Sequence, residues 1–280
     1  MQPAFPERAR FLHALLVGAL VVGVGLGAGG CSSSPPGGPV SPFLPTDTVR
    51  TDETDRDSAL AVLTNMQRAV FDSAYAALDT YSVTRRLRTE RLADRDSVTA
   101  TRTYTVRYPP APASGTVQAR DSSGTFSDGG MLSGLTSAGR PTERPQNVSS
   151  QALSDPPPYV APRTREAFRY ALDTATRPDG TPVQVVRVQA RSNGPGRDQG
   201  VRFARLTLLR DSHELIGLTV VRAERALLFQ EDSRLTVRLH PASTSGPWVP
   251  ALVEFRARVD VPFRAPRQFR TVSRYTDYAR

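Results

Sequence analysis

The sequence predicts a mainly β fold (α+β): a curved antiparallel sheet, or half-open β-barrel, of about ten strands with one N-terminal amphipathic helix. Three observations carry that expectation. From Tyr81 onward, apolar residues recur at every second position, as in half-buried strands. Gly, Pro, Asn and Asp clusters divide this part of the chain into short segments, as the turns of a meander would. Only one stretch before Tyr81 carries the 3.6-residue period of a packed helix.

The chain has 280 residues, enough for one sizeable core. Its 36 basic against 27 acidic residues give a net charge of +9, and every basic side chain is arginine. Such a balance invites a nucleic-acid reading. The arginines are scattered singly along strand-like runs, however, with no basic block and no recognition helix, so no nucleic-acid partner is expected. Replacement of lysine by arginine through genome composition accounts for the bias. A sharper account has guanidinium groups gripping anionic lipid headgroups or lipopolysaccharide phosphates through paired hydrogen bonds.

Residues 1–30 read as an export signal. Arg8 and Arg10 precede the apolar run FLHALLVGALVVGVGLGA, which exits through Gly29 and Gly30 into Cys31. A cysteine placed directly after small residues resembles the lipobox of bacterial lipoproteins, in which the thiol is acylated and becomes the mature N-terminus. Ala28 stands where the family usually carries Leu. Ordinary cleavage before Cys31 and an uncleaved anchor are the alternatives, the run being about the shortest that spans a bilayer. Cys31 is the only cysteine, and an exposed thiol in an oxidising compartment is a liability unless it is capped. The resemblance implies acyl chains on Cys31, palmitate among them, with several chains needed for a durable hold. Ser32, rather than Asp, follows Cys31. That favours the outer membrane, facing the periplasm, over an inner-membrane anchor or a free periplasmic protein.

Residues 31–57 are rich in Ser, Pro, Gly, Asp and Thr and are expected to be a disordered tether. Residues 58–79 form the expected helix. Leu63, Met66, Val70, Ala74 and Ala77 make its stripe, widened by Phe71, Tyr75 and Leu78, and Asp55 and Asp57 suit its N-terminal cap. Residues 58–280 make a single β domain. Its expected strands lie near 81–92, 98–108, 115–126, 165–176, 183–188, 201–209, 215–223, 235–239, 255–263 and 269–275. Residues 127–163 interrupt them with a Gly/Pro-rich insertion. Its apolar anchors are Met131, Leu132, Leu135 and Leu153, and it is expected to be an irregular loop.

Chemistry-bearing constellations are sparse. With His213 and His240 the only histidines beyond the leader, no His/Cys metal site and no cofactor are expected. Asp211, Ser212 and His213 have the residue types of a triad, but adjacency in one turn is not the convergence a triad needs. No enzyme is expected. Trp248, between Pro247 and Pro250, is read either as aromatic packing or as the mouth of an apolar cavity. The inward strand faces would hold Tyr104, Val106, Val185, Leu206, Leu218, Val237, Phe255, Ala257 and Val259. Of these Tyr104, Val106, Leu218, Phe255 and Val259, with Trp248, are the candidate ligand-binding residues.

The layout resembles the LolA/LolB-like envelope lipoproteins and carriers. The features that carry the resemblance are the helix running into Tyr81-Ser82-Val83 and the hairpin Leu208-Leu209-Arg210-Asp211-Ser212-His213-Glu214-Leu215-Ile216. The closing Trp248-Val249-Pro250 and Tyr275-Thr276-Asp277-Tyr278 complete it. The resemblance implies an incompletely closed sheet around helices with an apolar cavity for acyl chains, hence lipid or lipoprotein handling. The insertion and the want of a clear second helix depart from that pattern. The alternative function is an interaction subunit of an envelope complex, using a sheet edge and the 127–163 loop to meet a protein partner.

Overall fold

In a computed structural model of the chain the described residues are 41–46, 49, 53–93, 96–126, 141–145, 153, 156–191, 200–226, 229–243, 246–261, 263 and 265–280. The chain divides into two compact units, Met1–Pro36 and Gly37–Arg280. The first, with the expected signal segment and Cys31, lies outside the described residues.

Helices α1 (Glu53–Thr64) and α2 (Ala69–Ala77) come first, and a 3-10 turn, Leu78–Thr80, follows α2. Ten strands then follow: β1 (Ser82–Leu92), β2 (Val98–Tyr108), β3 (Thr116–Ser123), β4 (Phe168–Thr176) and β5 (Pro182–Ala190), then β6 (Val201–Leu209), β7 (Leu215–Ala226), β8 (Phe229–Pro241), β9 (Trp248–Asp260) and β10 (Arg267–Ala279). All ten join one curved, unclosed antiparallel sheet in the order β3-β2-β1-β10-β9-β8-β7-β6-β5-β4. From β4 to β10 it is a meander of neighbours. The first strand then docks on the last, from Ser82 opposite Ala279 to Leu92 opposite Gln268. The free edges are β3 and β4, and every residue of β3 is exposed.

The single helix expected over 58–79 is two. After Thr64 the chain leaves the helical path because Gln67 is captured by the β6–β7 turn. Its N–H donates to the His213 carbonyl at 2.9 Å, and its carbonyl accepts from the Leu215 N–H at 2.9 Å. A backbone held from both sides in a β-bridge cannot also complete helical hydrogen bonds. At the other end α1 begins at Glu53, so Asp55 and Asp57, expected just before the helix, lie inside it. The apolar stripe survives the break, with Leu63, Phe71, Ala74, Tyr75 and Leu78 all buried.

Helix α1 lies against β4 and β5, and α2 against β7 and β9. Between helices and sheet lies the main core, which includes Val62, Leu63, Phe71, Phe168, Val186, Leu206, Leu208, Leu215, Leu218 and Val237. Two segments expected to be irregular contribute to packing. In the insertion, Leu153 and Tyr159 enter the main core, and the Tyr159 ring meets Phe168 edge-on at 6.1 Å. Arg144 donates to the Leu78 carbonyl at 3.1 Å and so ties the insertion to the end of α2. In the expected tether, Phe43 and Val49 are buried with Ala171, Phe203 and Val221 on the opposite face of the sheet, and the Val49 N–H donates to Gln189 Oε1 at 2.8 Å. Two apolar side chains in a polar segment suffice here because the sheet offers an apolar patch to receive them.

Candidate functional site

Directly opposed residues of an antiparallel pair point to the same side of a sheet, so the register defines its inner face. One row across nine strands is Leu172, Val186, Leu206, Leu218, Val237, Val253, Ser273, Leu87 and Tyr104. The next is Tyr170, Val188, Ala204, Val220, Leu235, Phe255, Thr271, Thr89 and Arg102. In both rows the members on β4 to β8 are apolar or aromatic, and all but Leu172 and Leu235 are buried beneath the helices. On β9, β10, β1 and β2 the rows change character. Val253, Phe255, Thr271, Arg102 and Tyr104 are only half-buried, and polar side chains enter.

Arg85 is the most unusual member of this second half. It faces inward between Val106 of β2 and Tyr275 of β10, and is only 8 % exposed. Its Nε and Nη2 donate to Ser273 Oγ at 3.1 and 3.0 Å. The Tyr275 ring centroid lies 5.9 Å from the guanidinium carbon, a cation–π contact. The nearby Tyr108 hydroxyl donates to the Pro141 carbonyl. Burial works to lower the Arg85 pKa. The hydroxyls of Tyr275, Tyr108 and Tyr75 outweigh it, so the net shift is upward and the cation persists. Burial in turn raises the pKa of Tyr75 and Tyr275, keeping both neutral hydroxyls at physiological pH. Tyr75 and Leu78 place this cluster at the end of α2.

The contrast with the outer face is one of charge pairing. There, arginines meet carboxylates: Arg88 with Glu90 at 2.6 Å, Arg256 with Asp96 at 2.8 Å, Arg270 with Glu254 at 2.8 Å and Arg187 with Asp173 at 2.9 Å. On the inner face, Arg85 and Arg102 form no ion pair among the described residues. Arg102 covers the Phe126 ring at 4.9 Å, and its Nε is buried without a hydrogen-bond partner.

The candidate residues divide between these settings. Tyr104, Val106, Leu218, Phe255 and Val259 all point inward, as do Leu206, Val237 and Ala257. Val185 does not. It opposes Thr207 and packs with Val183 and Ile216 on the other face, because Val186 takes the inward phase of β5. Leu218 is sealed in the main core, and Val106 is fully buried in the tyrosine cluster. Val259 sits at a polar rim, opposite Glu231 on one side and Arg267 on the other. Glu231 also opposes Glu224, and burial, then Glu224, then Asp232, raise its pKa. Trp248 opens β9, half-buried against both the main core and the Val183 cluster, with the Arg177 guanidinium 5.1 Å from its ring. Phe255, Tyr104 and Val259 combine an inward direction with partial exposure.

Arg85, Ser273, Tyr75 and Tyr275 were not among the candidates. The signal for Arg85 is present in the sequence, since Val83, Arg85, Leu87 and Thr89 share the inward phase of β1 and an arginine interrupts it. Asp211, Ser212 and His213 form the hairpin turn between β6 and β7, where the Ser212 hydroxyl donates to Glu214 Oε2 at 2.9 Å and His213 adopts a left-handed φ of 55°. Among the described residues no helix is long and apolar enough to cross a membrane.

No protein-family model matches the chain, and no curated protein sequence matches it. It is similar to three solved structures, each at a TM-score of 0.24. A DUF1329 family protein from Desulfovibrio piger is 10 % identical, with 80 % of this chain and 92 % of that one covered. A LolA superfamily protein from Nitrosomonas europaea is 11 % identical, with 79 % and 92 % covered. A putative outer membrane lipoprotein-sorting protein domain from Vibrio parahaemolyticus is 10 % identical, with 81 % and 92 % covered. Overlap this loose carries no argument about chemistry, which rests on the side chains above.

Proposed function

We propose that the chain is a non-enzymatic lipoprotein of the bacterial outer membrane, anchored through acylated Cys31 and facing the periplasm. In this reading residues 1–30 are removed on export, residues from 31 to about 40 span the gap to the membrane, and the β domain binds an acyl chain or another apolar envelope ligand. One observation carries the binding: on β4 to β8 the two inner rows are buried except at Leu172 and Leu235, whereas Val253, Phe255 and Tyr104 on β9 and β2 keep part of their surface exposed. Apolar side chains on a concave face, with polar groups beside them, are the usual lining of a small-molecule site. The ligand-binding side chains are Tyr104 and Phe255, with Val106, Leu218, Val259 and Trp248 holding the surrounding frame.

The full chain, produced in a bacterial host and purified from membranes, tests both parts. The N-terminal peptide should carry the mass of a triacylated cysteine, and solvent extraction should release lipid from the folded protein. Phe255→Glu should abolish the extracted lipid while leaving the acylated peptide in place. An unmodified Cys31 would defeat the anchor, and protein free of lipid in wild-type form would defeat the binding.

A second reading, an interaction subunit of an envelope complex, draws on the wholly exposed edge strand β3. Removing 127–140 tests it without disturbing Leu153 and Tyr159. Lost association with an intact fold would favour this reading over the first.

A further inference from the structure

Arg85 is a permanent cation buried in the domain interior, and no carboxylate among the described residues pairs with it. Its partners are neutral: the Ser273 hydroxyl receives two of its N–H groups, and the Tyr275 ring lies beside it. A guanidinium has five N–H donors and does not lose its proton, so neutral hydroxyls leave its charge uncompensated. Burying such a charge costs stability unless a counter-charge arrives. Several outer-face arginines, by contrast, meet carboxylates. On the inner face the half-buried Phe255 and Phe269 continue away from Arg85 along β9 and β10, beside the buried Leu87 and Ala257. From Val253 to Val259, six residues of strand at ~3.4 Å each make a track of about 20 Å. That exceeds the ~15 Å that one leaflet of a bilayer core provides for an acyl chain.

We propose that Arg85, with Ser273, is the head-group subsite of the acyl-chain site, and that the ligand is an anionic amphiphile bearing a carboxylate or phosphate at the end of its chain. This rests on the binding reading above. The anion would accept from the Arg85 N–H groups not committed to Ser273, with the chain lying over Phe255 and Phe269. Hydrogen bonds between ions are stronger than those to neutral hydroxyls, which is why an anion would be preferred to a neutral head of equal chain length.

The test uses the full chain in nanodiscs and photoactivatable sixteen-carbon probes of one chain structure. One ends in a carboxylate, one in a phosphate monoester and one in a neutral alcohol, and labelled peptides are located by mass spectrometry. The expected result is labelling of inner-face peptides of β1, β9 or β10, with half-saturation by an anionic probe at a concentration about 10- to 100-fold below that of the alcohol. Arg85→Gln should bring the probes to parity while alcohol labelling persists. Arg85→Lys, which keeps the charge but not the fork, should restore part of the preference. The wild-type ratio needs no variant and so stands even if Arg85→Gln does not fold. The carboxylate and phosphate arms identify the head, and competition by inorganic phosphate alone, with no advantage from the chain, would reduce the site to a free-anion site and overturn the proposal. Equal labelling by acid and alcohol would overturn it and leave the binding reading intact. No labelling of the inner face by any probe would defeat both.

Discussion

The two halves of the sheet are built from the same alternating pattern, yet they are finished differently. Over β4 to β8 the inner face meets α1, α2 and Tyr159, and Leu206, Leu208, Leu215 and Val186 are fully enclosed. Helix α2 also lies on β9, but over β10, β1 and β2 only its end reaches down, through Tyr75 and Leu78, and the rows continue into Phe255, Thr271 and Tyr104 with part of their surface uncovered. The first half is a core in the ordinary sense, where close packing supplies stability. The second half keeps apolar side chains near water and places a buried cation among hydroxyls. Both features cost folding free energy.

That difference is open to measurement. Leu218→Ala removes a sealed side chain and should cost about 2–5 kcal/mol in urea-induced unfolding, with no specific effect on ligand uptake beyond the loss of folded protein. Gln67→Pro deletes the N–H donor that holds the break between α1 and α2 to the β6–β7 turn. It should cost about 1–3 kcal/mol and increase protease cleavage between the helices. Phe255→Ala, on the open half, should cost only about 1–2 kcal/mol, because the ring already keeps part of its surface in water, but should abolish lipid co-purification. A larger penalty at Phe255 than at Leu218 would invert the comparison.

The smallest effect is electrostatic and lies at the rim. Burial raises the pKa of Glu231 above its ordinary 4.5 in the folded chain, so between 4.5 and the raised value the folded form holds more protons than the unfolded form. Stability therefore falls as pH rises through that window. Glu231→Gln should flatten this part of the pH profile and raise the melting temperature slightly at neutral pH. An unchanged profile in thermal scans would show that Glu231 is solvated like any surface carboxylate.

Period-2 patterning located ten strands, but β8 and β9 begin well before the expected 235 and 255, and Phe263, expected in β9, lies beyond its end. The alternation of β9 (Phe255, Ala257, Val259 against Glu254, Arg256, Arg258) placed its faces correctly. Val185 was misplaced because β5 carries Val183, Val185, Val186 and Val188 in close succession, and a run apolar on both faces gives no phase. The helix break could not be read from the stripe, since its cause is a hydrogen bond to His213, distant in sequence. Tyr159 and Phe43 were missed for a related reason: in Pro-rich, polar surroundings, only the receiving surface makes an isolated aromatic residue part of a core.

By itself the sequence determined the strand count, the arginine-only charge, the apolar helical stripe and the position of the lone Cys31. Each of these depends on residue type and local spacing, and both survive in an unfolded chain. Tertiary structure alone decided that β1 would dock against β10, that α1 would lie on β4 and β5 and α2 on β7 and β9, and that Arg85 would lie among tyrosines without a carboxylate. Those outcomes depend on which distant strands pair and in what register. A one-residue slip of β1 would have turned Arg85 out to the solvent.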